Sequence, residues 1–148
     1  MANHQTLTGN HRSKLHIAID VEGIPVPQGS FRHIGNGRII AANPKLNAWR
    51  EQIADQAMRQ ITMAQLHQTP IQGPITVQLV FILPKPKKSA YAYPAVKDID
   101  KLARAVLDAI SLPKYIQLIG NDNQVTDLHA AKRYTTDGWT GVHIKLFW

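Results

Sequence analysis

Cysteine is absent from the 148 residues. This excludes a disulfide framework, a thiolate nucleophile and any cysteine-ligated zinc site, and it fits a reducing compartment. Acidic residues are scarce: ten Asp and Glu stand against seventeen Lys and Arg, for a formal charge of +7. Such a balance, with an isoelectric point near 9.9, favours an anionic partner, for which nucleic acid and an anionic membrane surface are the usual candidates. Long apolar runs are missing as well. The longest, Ile75 to Leu83, falls far short of the ~20 residues a membrane helix needs, and the opening MANHQTLTGNHRSK has no apolar segment suited to a signal peptide. The seven histidines show no HxxxH or comparable ligand spacing, which argues against zinc. There is no repeat or low-complexity tract. What remains, at 44% hydrophobic content, is the size and composition of one globular domain. The expected organisation is a flexible N-terminal arm at 1–13 and a folded domain at 14–148, in a soluble cytoplasmic protein.

Within that domain, Leu15, Ile17, Ile19 and Val21 alternate as in a half-buried strand, which Gly23 and Pro25 stop. Gly35-Asn36-Gly37 between short apolar pieces predicts a hairpin or extended loop over Phe31 to Ile40. Its Arg32, His33 and Arg38 fit a solvated rim better than a phosphate contact. Asn43-Pro44 marks a helix start. The steps Leu46, Trp49, Ile53, Ala57, Ile61, Ala64 then predict a long helix laying one apolar stripe on a sheet, with Trp49 in the core rather than serving as a base-stacking platform. Ile75 to Leu83 reads as a central strand covered on both faces or nearly so. Segments 124–134 and 140–147, around the Asp137-Gly138 turn signal, predict a closing antiparallel pair. The element order gives an α+β domain, a mixed β-sheet with two main helices packed against it.

Five of the ten acidic residues fall between Asp98 and Asp127, the others in this stretch being Asp100, Asp108 and Asp122. Ile99, Leu102, Val106 and Ile110 mark one helical face, which places Asp98 at the N-cap and Asp100 in the first turn. An isolated DxD at such a place is usually no more than a cap and a dipole partner. Here Lys85, Lys87, Lys88, Lys97 and Lys101 crowd the approach, as around an acidic metal site that must receive a polyanion. Asp122, in a turn-like segment after the helix, is a third candidate. Three carboxylates converging on one spot repel each other unless a hard cation is bound, and an oxygen-only set suits Mg2+, with Mn2+ as a substitute.

These residues resemble the RusA-type Holliday-junction resolvases, a family common in prophages. Asp98-Ile99-Asp100 matches the family's first carboxylates, Ala105 to Ile110 (AVLDAI) its helix, and Asp122-Asn123-Gln124-Val125 its Asp-x-Gln-Val. Lys132 falls where a later family lysine stands, and Arg104 takes the place of a lysine four residues after the second Asp. The chain departs from the pattern at Lys101 (usually Asn), Lys97 (usually Pro) and Asn121 (usually acidic). The resemblance implies a homodimer, since a four-way junction is two-fold symmetric and two nicks need two active sites, and a setting in recombination and repair.

The expected function is therefore Mg2+-dependent hydrolysis of phosphodiesters at four-way DNA junctions. Asp98, Asp100 and Asp122 are the expected metal ligands, and Lys101 or Arg104 the cation that steadies the phosphate or the developing charge. Arg104 has a surface pair with Asp108 as its structural alternative. Asp108 itself is expected to be a structural partner. Lys85, Lys87, Lys88, Lys97 and Lys132 are the expected DNA contacts. The loop Pro84 to Pro94, with Tyr91 and Tyr93, reads equally as a phosphate clamp with stacking tyrosines and as a solvated connector. Two other functions stand beside this one: a non-catalytic DNA-binding module whose acids are caps, and a metal-dependent nuclease of broader substrate range.

Overall fold

The computed structural model describes residues 16–29, 31–33, 35–37, 39–41, 44–64 and 69–148. The expected arm at 1–13, the capping Asn43, Leu15 and Arg38 lie outside the described residues. The first alternating segment forms β1 (His16–Glu22), with Ile17, Ile19 and Val21 buried and the residues between them exposed. Positive φ at Gly35, Asn36 and Gly37 turns β2 (Phe31–His33) back onto β3 (Ile39–Ala41) as a separate antiparallel hairpin. Helix α1 (Lys45–Met63) follows Pro44, whose φ of −67° is already helical. It buries Leu46, Trp49, Ile53, Ala57 and Ile61 as predicted, whereas Ala64 follows the helix and is exposed.

The nine apolar-rich residues of β4 (Ile75–Leu83) take the interior of a four-stranded sheet. On one side β4 pairs antiparallel with β6 (Gly141–Phe147), which in turn pairs antiparallel with β1. On its other side β4 pairs parallel with β5 (Val125–Tyr134), so the order is β1-β6-β4-β5 and β5 is an edge. The closing antiparallel pair predicted for β5 and β6 is therefore not formed. The most apolar strand gains most by having neighbours along both edges, and it inserts between the two. Residues 135–140 cross its end, a span of ~10 Å, in a turn where Asp137 Oδ1 accepts the Trp139 N–H at 3.0 Å.

Coverage of β4 also differs from expectation. Ile75, Val77, Leu79 and Phe81 are buried in the core shared with the helices and Leu83 is buried at the strand's end, but Thr76, Val80 and Ile82 are only partly covered and Gln78 is exposed. Helix α2 (Ile99–Ser111) connects the two parallel strands and lies beside α1. One core cluster joins both helices to the sheet, with Trp49, Ile53, Leu102 and Val106 against Ile19, Leu79, Phe81 and Ile144. Among the described residues no helix is long and apolar enough to cross a membrane.

Candidate functional site

Helix α2 begins beyond the C-terminal ends of the parallel strands β4 and β5, the place where open sheets with crossover helices present their ligand sites. Asp98 holds the N-cap position with its main chain, its carbonyl accepting from Leu102 N at 3.0 Å. Its carboxylate caps nothing. Instead it faces solvent beside Lys101 Nζ at 3.1 Å. Asp100, in the first turn, is exposed as well. The ordinary reason for an aspartate at a helix start, relief of unpaired N–H groups, does not apply to the Asp98 side chain.

Three ties fix this corner. Lys132, on β5, donates to the carbonyls of Val96 at 3.2 Å and Lys97 at 2.8 Å. Lys97, at a φ of 62°, donates to the Pro25 carbonyl at 2.7 Å. The Gln28 N–H reaches the Lys101 carbonyl at 3.0 Å, closing the first turn of α2 from outside. Burial, and then the nearby Lys45 charge, lower the Lys97 pKa below its ordinary value. Lys97 and Lys132, expected to meet DNA, are thus bonded here to the chain's own main chain next to Asp98. Lys85, Lys87 and Lys88 are exposed on the loop before α2. That loop is tied to the sheet through Ser89 and Tyr134, 3.1 Å apart. Its Tyr91 and Tyr93 are exposed, with ring centroids 5.3 Å apart.

Asp122 is held by different means. It opens a 3-10 turn (Asp122–Gln124) that Gln124 organises. The Gln124 Nε2 donates to the carbonyls of Ile71 at 2.9 Å and Gly73 at 3.0 Å. Its Oε1 accepts from Gly120 N at 2.7 Å and Asn121 N at 2.9 Å. Asn121 Oδ1 accepts from Asn123 N at 2.9 Å. Within this clamp the Asp122 side chain is exposed, on a groove of about 330 Å³ lined also by Arg104, Asp108, Ser111, Gln117 and Asn121.

The convergence of three carboxylates is not realised within one chain. Asp98 sits where Lys132 reaches across to the start of α2, and Asp122 just before Val125. The seven residue steps between Val125 and Lys132 span ~23 Å of strand. Helix α2 runs back along β5, and the loop after it turns beside the helix's C-terminal half, far from Asp98. Among the described residues no group of three or more His, Asp or Glu side chains is placed to hold a metal.

Asp108 is the structural partner expected, but its main counterpart is Arg50, 2.7 Å away, with the two side chains only 13% and 11% exposed. Arg50 also donates to Gln28 Oε1 and lies 5.9 Å from the centroid of the Tyr115 ring. Its 58-residue separation from Asp108 leaves no periodic signal in the sequence, and Gln124 was legible only as a motif letter. Arg104 Nε lies 3.8 Å from Asp108 and is largely exposed, a loose surface contact that leaves the guanidinium able to turn to a ligand. Asp127 pairs with His129 at 3.1 Å.

Nothing among the curated proteins matches the chain. A family model described as Endodeoxyribonuclease RusA matches residues 20–146, which takes in both helices, nearly all of the main sheet and every carboxylate placed above, and the chain accordingly belongs to the RusA endodeoxyribonuclease family.

Proposed function

We propose that this protein is a Mg2+-dependent endodeoxyribonuclease, with Mn2+ as a substitute, that nicks four-way (Holliday) junctions in recombination and repair and acts as a homodimer. The observation that carries this reading is the pair of outward carboxylates, Asp98 and Asp100, at the mouth of β4 and β5, with the Asp98 side chain free of capping duty.

The donor chemistry fits a hard cation, since Asp98, Asp100 and Asp122 offer only oxygen. Their placement fits it across two chains. β5 is an edge strand, exposed from Thr126 to Ala131. Pairing its free edge antiparallel with a second copy about a two-fold axis sets the start of one β5 beside the end of the other. That brings Asp122 of each protomer toward Asp98 and Asp100 of its partner, giving two equivalent sites per dimer. When bound, the ion neutralises phosphate charge and makes water nucleophilic near neutral pH. The chain supplies the rest. Lys132 and Lys97 hold the Asp98 corner, Gln124 holds the Asp122 turn, Lys101 and Arg104 steady the attacked phosphate, and Lys85, Lys87 and Lys88 draw in the strand.

The test is nicking of a four-way junction, a flap and a linear duplex in Mg2+ and in EDTA, followed by mixing of two inactive variants. Junction-selective nicking that EDTA abolishes is expected. Binding without nicking would make the protein a DNA-binding module, and equal rates on all three DNAs a broader nuclease. Asp100→Asn and Asp122→Asn, each inactive alone, should regain about a quarter of wild-type sites when co-refolded, because half of the dimers then carry one intact shared site. No regain would place each site within one chain.

A further inference from the structure

The segment after β1, Gly23-Ile24-Pro25-Val26-Pro27-Gln28, has too much proline for a paired strand, and it is fixed in place nonetheless. Gly23, at a φ of 147°, lies so close to α1 that a β-carbon there would meet Trp49 and Gln52 at 2.8 Å. Pro25 and Gln28 carry the bonds to Lys97 and Lys101 already described. Between this segment and α1 runs a groove of about 450 Å³, inside the usual size range of small-ligand pockets. Its walls are mostly apolar, made by Ile24, Val26, Pro27 and Ala48 with the edge of the core residue Trp49 and with Gln52 among them, and the cations Lys45 and Lys97 border it. Ile24 stands 57% exposed at the lip, a large apolar side chain left in water. Lys97 uses one N–H on Pro25, which leaves two donors for a ligand. It is also the chain neighbour of Asp98, so an anion held there lies next to the carboxylate pair.

We propose that this groove takes the sugar and base of one unstacked nucleotide beside the cut phosphate, with its phosphate between Lys45 and Lys97, and that it thereby selects branched DNA over duplex. The proposal rests on the nuclease reading and names the substrate feature which that site reads. Mostly apolar walls with Gln52 among them and two cations at the rim complement a nucleotide, whose base has apolar faces and hydrogen-bonding edges and whose phosphate is anionic. In a continuous duplex each base is stacked on both sides and is unavailable to a groove. At a branch point stacking is interrupted, so turning one nucleotide out costs less, and the gain on apolar contact favours the junction.

The experiment places 2-aminopurine, which brightens on unstacking, at successive positions around the branch point of a four-way junction and in a linear duplex. Wild-type protein is added in EDTA, so that binding is read without cleavage. A several-fold rise is expected at one position beside the cut and none in the duplex. Two variants test the groove at exposed positions: Ala48→Phe fills it and Ile24→Asp puts a carboxylate at its lip. Each should abolish the rise and lower the junction-over-duplex binding ratio roughly tenfold, with the melting temperature held near that of wild type. Lys45→Ala leaves the walls intact and should lower the salt slope of junction binding by about 0.9. No rise at any position with wild-type protein, or a rise that survives both wall variants, overturns the proposal. Nicking in Mg2+ without a rise defeats the groove alone. A groove-dependent rise without nicking defeats the nuclease reading and leaves the groove as a branched-DNA subsite.

Discussion

Asp98 sits at the helix start while its carboxylate pairs with Lys101 across solvent, and Asp100 stands beside it in the first turn. Asp100→Asn is nearly isosteric and keeps one acceptor oxygen, so the fold should be unchanged. Nicking should slow by orders of magnitude, because one negative charge is lost from the proposed metal-binding set. Junction binding should persist or tighten as repulsion of phosphate falls. Gel-shift titration beside Mg2+-dependent cleavage checks both, and wild-type cleavage would remove Asp100 from the site. Gln124 carries a different kind of load. Its amide makes four hydrogen bonds to main-chain groups of two separate segments, and at a net ~0.5–1.5 kcal/mol each, Gln124→Ala should lose about 2–6 kcal/mol. Urea unfolding measures this loss. Stability within about 0.5 kcal/mol of wild type would mean that the turn holds Asp122 without the clamp.

At the scale of elements, β5 is the exception in the sheet. It runs ten residues, pairs on one edge only, and leaves Leu128 43% exposed. A long edge strand with an exposed apolar residue is what natural sheets usually shield with a bulge, a cover or a partner. In the proposed dimer, Leu128→Glu puts a carboxylate near its two-fold mate, and it should convert the protein to a monomer by light scattering, with unchanged far-UV circular dichroism. Nicking should fall with the dimer although every proposed ligand is intact. A variant that remains dimeric, or a monomer that nicks, would rule out the β5 edge as the contact that completes the site.

Over the whole molecule, the excess of seven positive charges is unevenly used. Lys97 and Lys132 brace main-chain carbonyls, and Arg50 is committed to Asp108. The exposed Lys85, Lys87 and Lys88 are the cations proposed to draw in the strand on the approach to the site. Replacing Lys87 and Lys88 by Ala should weaken binding to junction and duplex alike. The log–log salt slope should fall by about 0.9 for each lost contact, or about 1.8 for both. Fluorescence anisotropy over a range of NaCl concentrations gives that slope, and an unchanged value would take the loop off the DNA.

The sequence by itself determined the local elements and the chemistry of the candidate groups. Alternation marked β1, a near-continuous apolar run marked the bounds of β4, three- and four-residue steps marked both helices, and the spacing of Asp98, Asp100 and Asp122 with Gln124-Val125 carried the family, because these depend on neighbours along the chain. Which strands pair and where the acids end up depend on contacts between distant residues. Alternation in β6 and the Asp137-Gly138 turn signal before it are equally compatible with a hairpin, and only competition for the edges of the more apolar β4 separates the two strands. The same crossover fixes Asp122 at the opposite end of β5 from Asp98, a separation set by strand and helix length that no motif spacing records. The duties of Lys132, Lys97 and Gln124 were decided there too, since each bonds to main chain brought near only by folding.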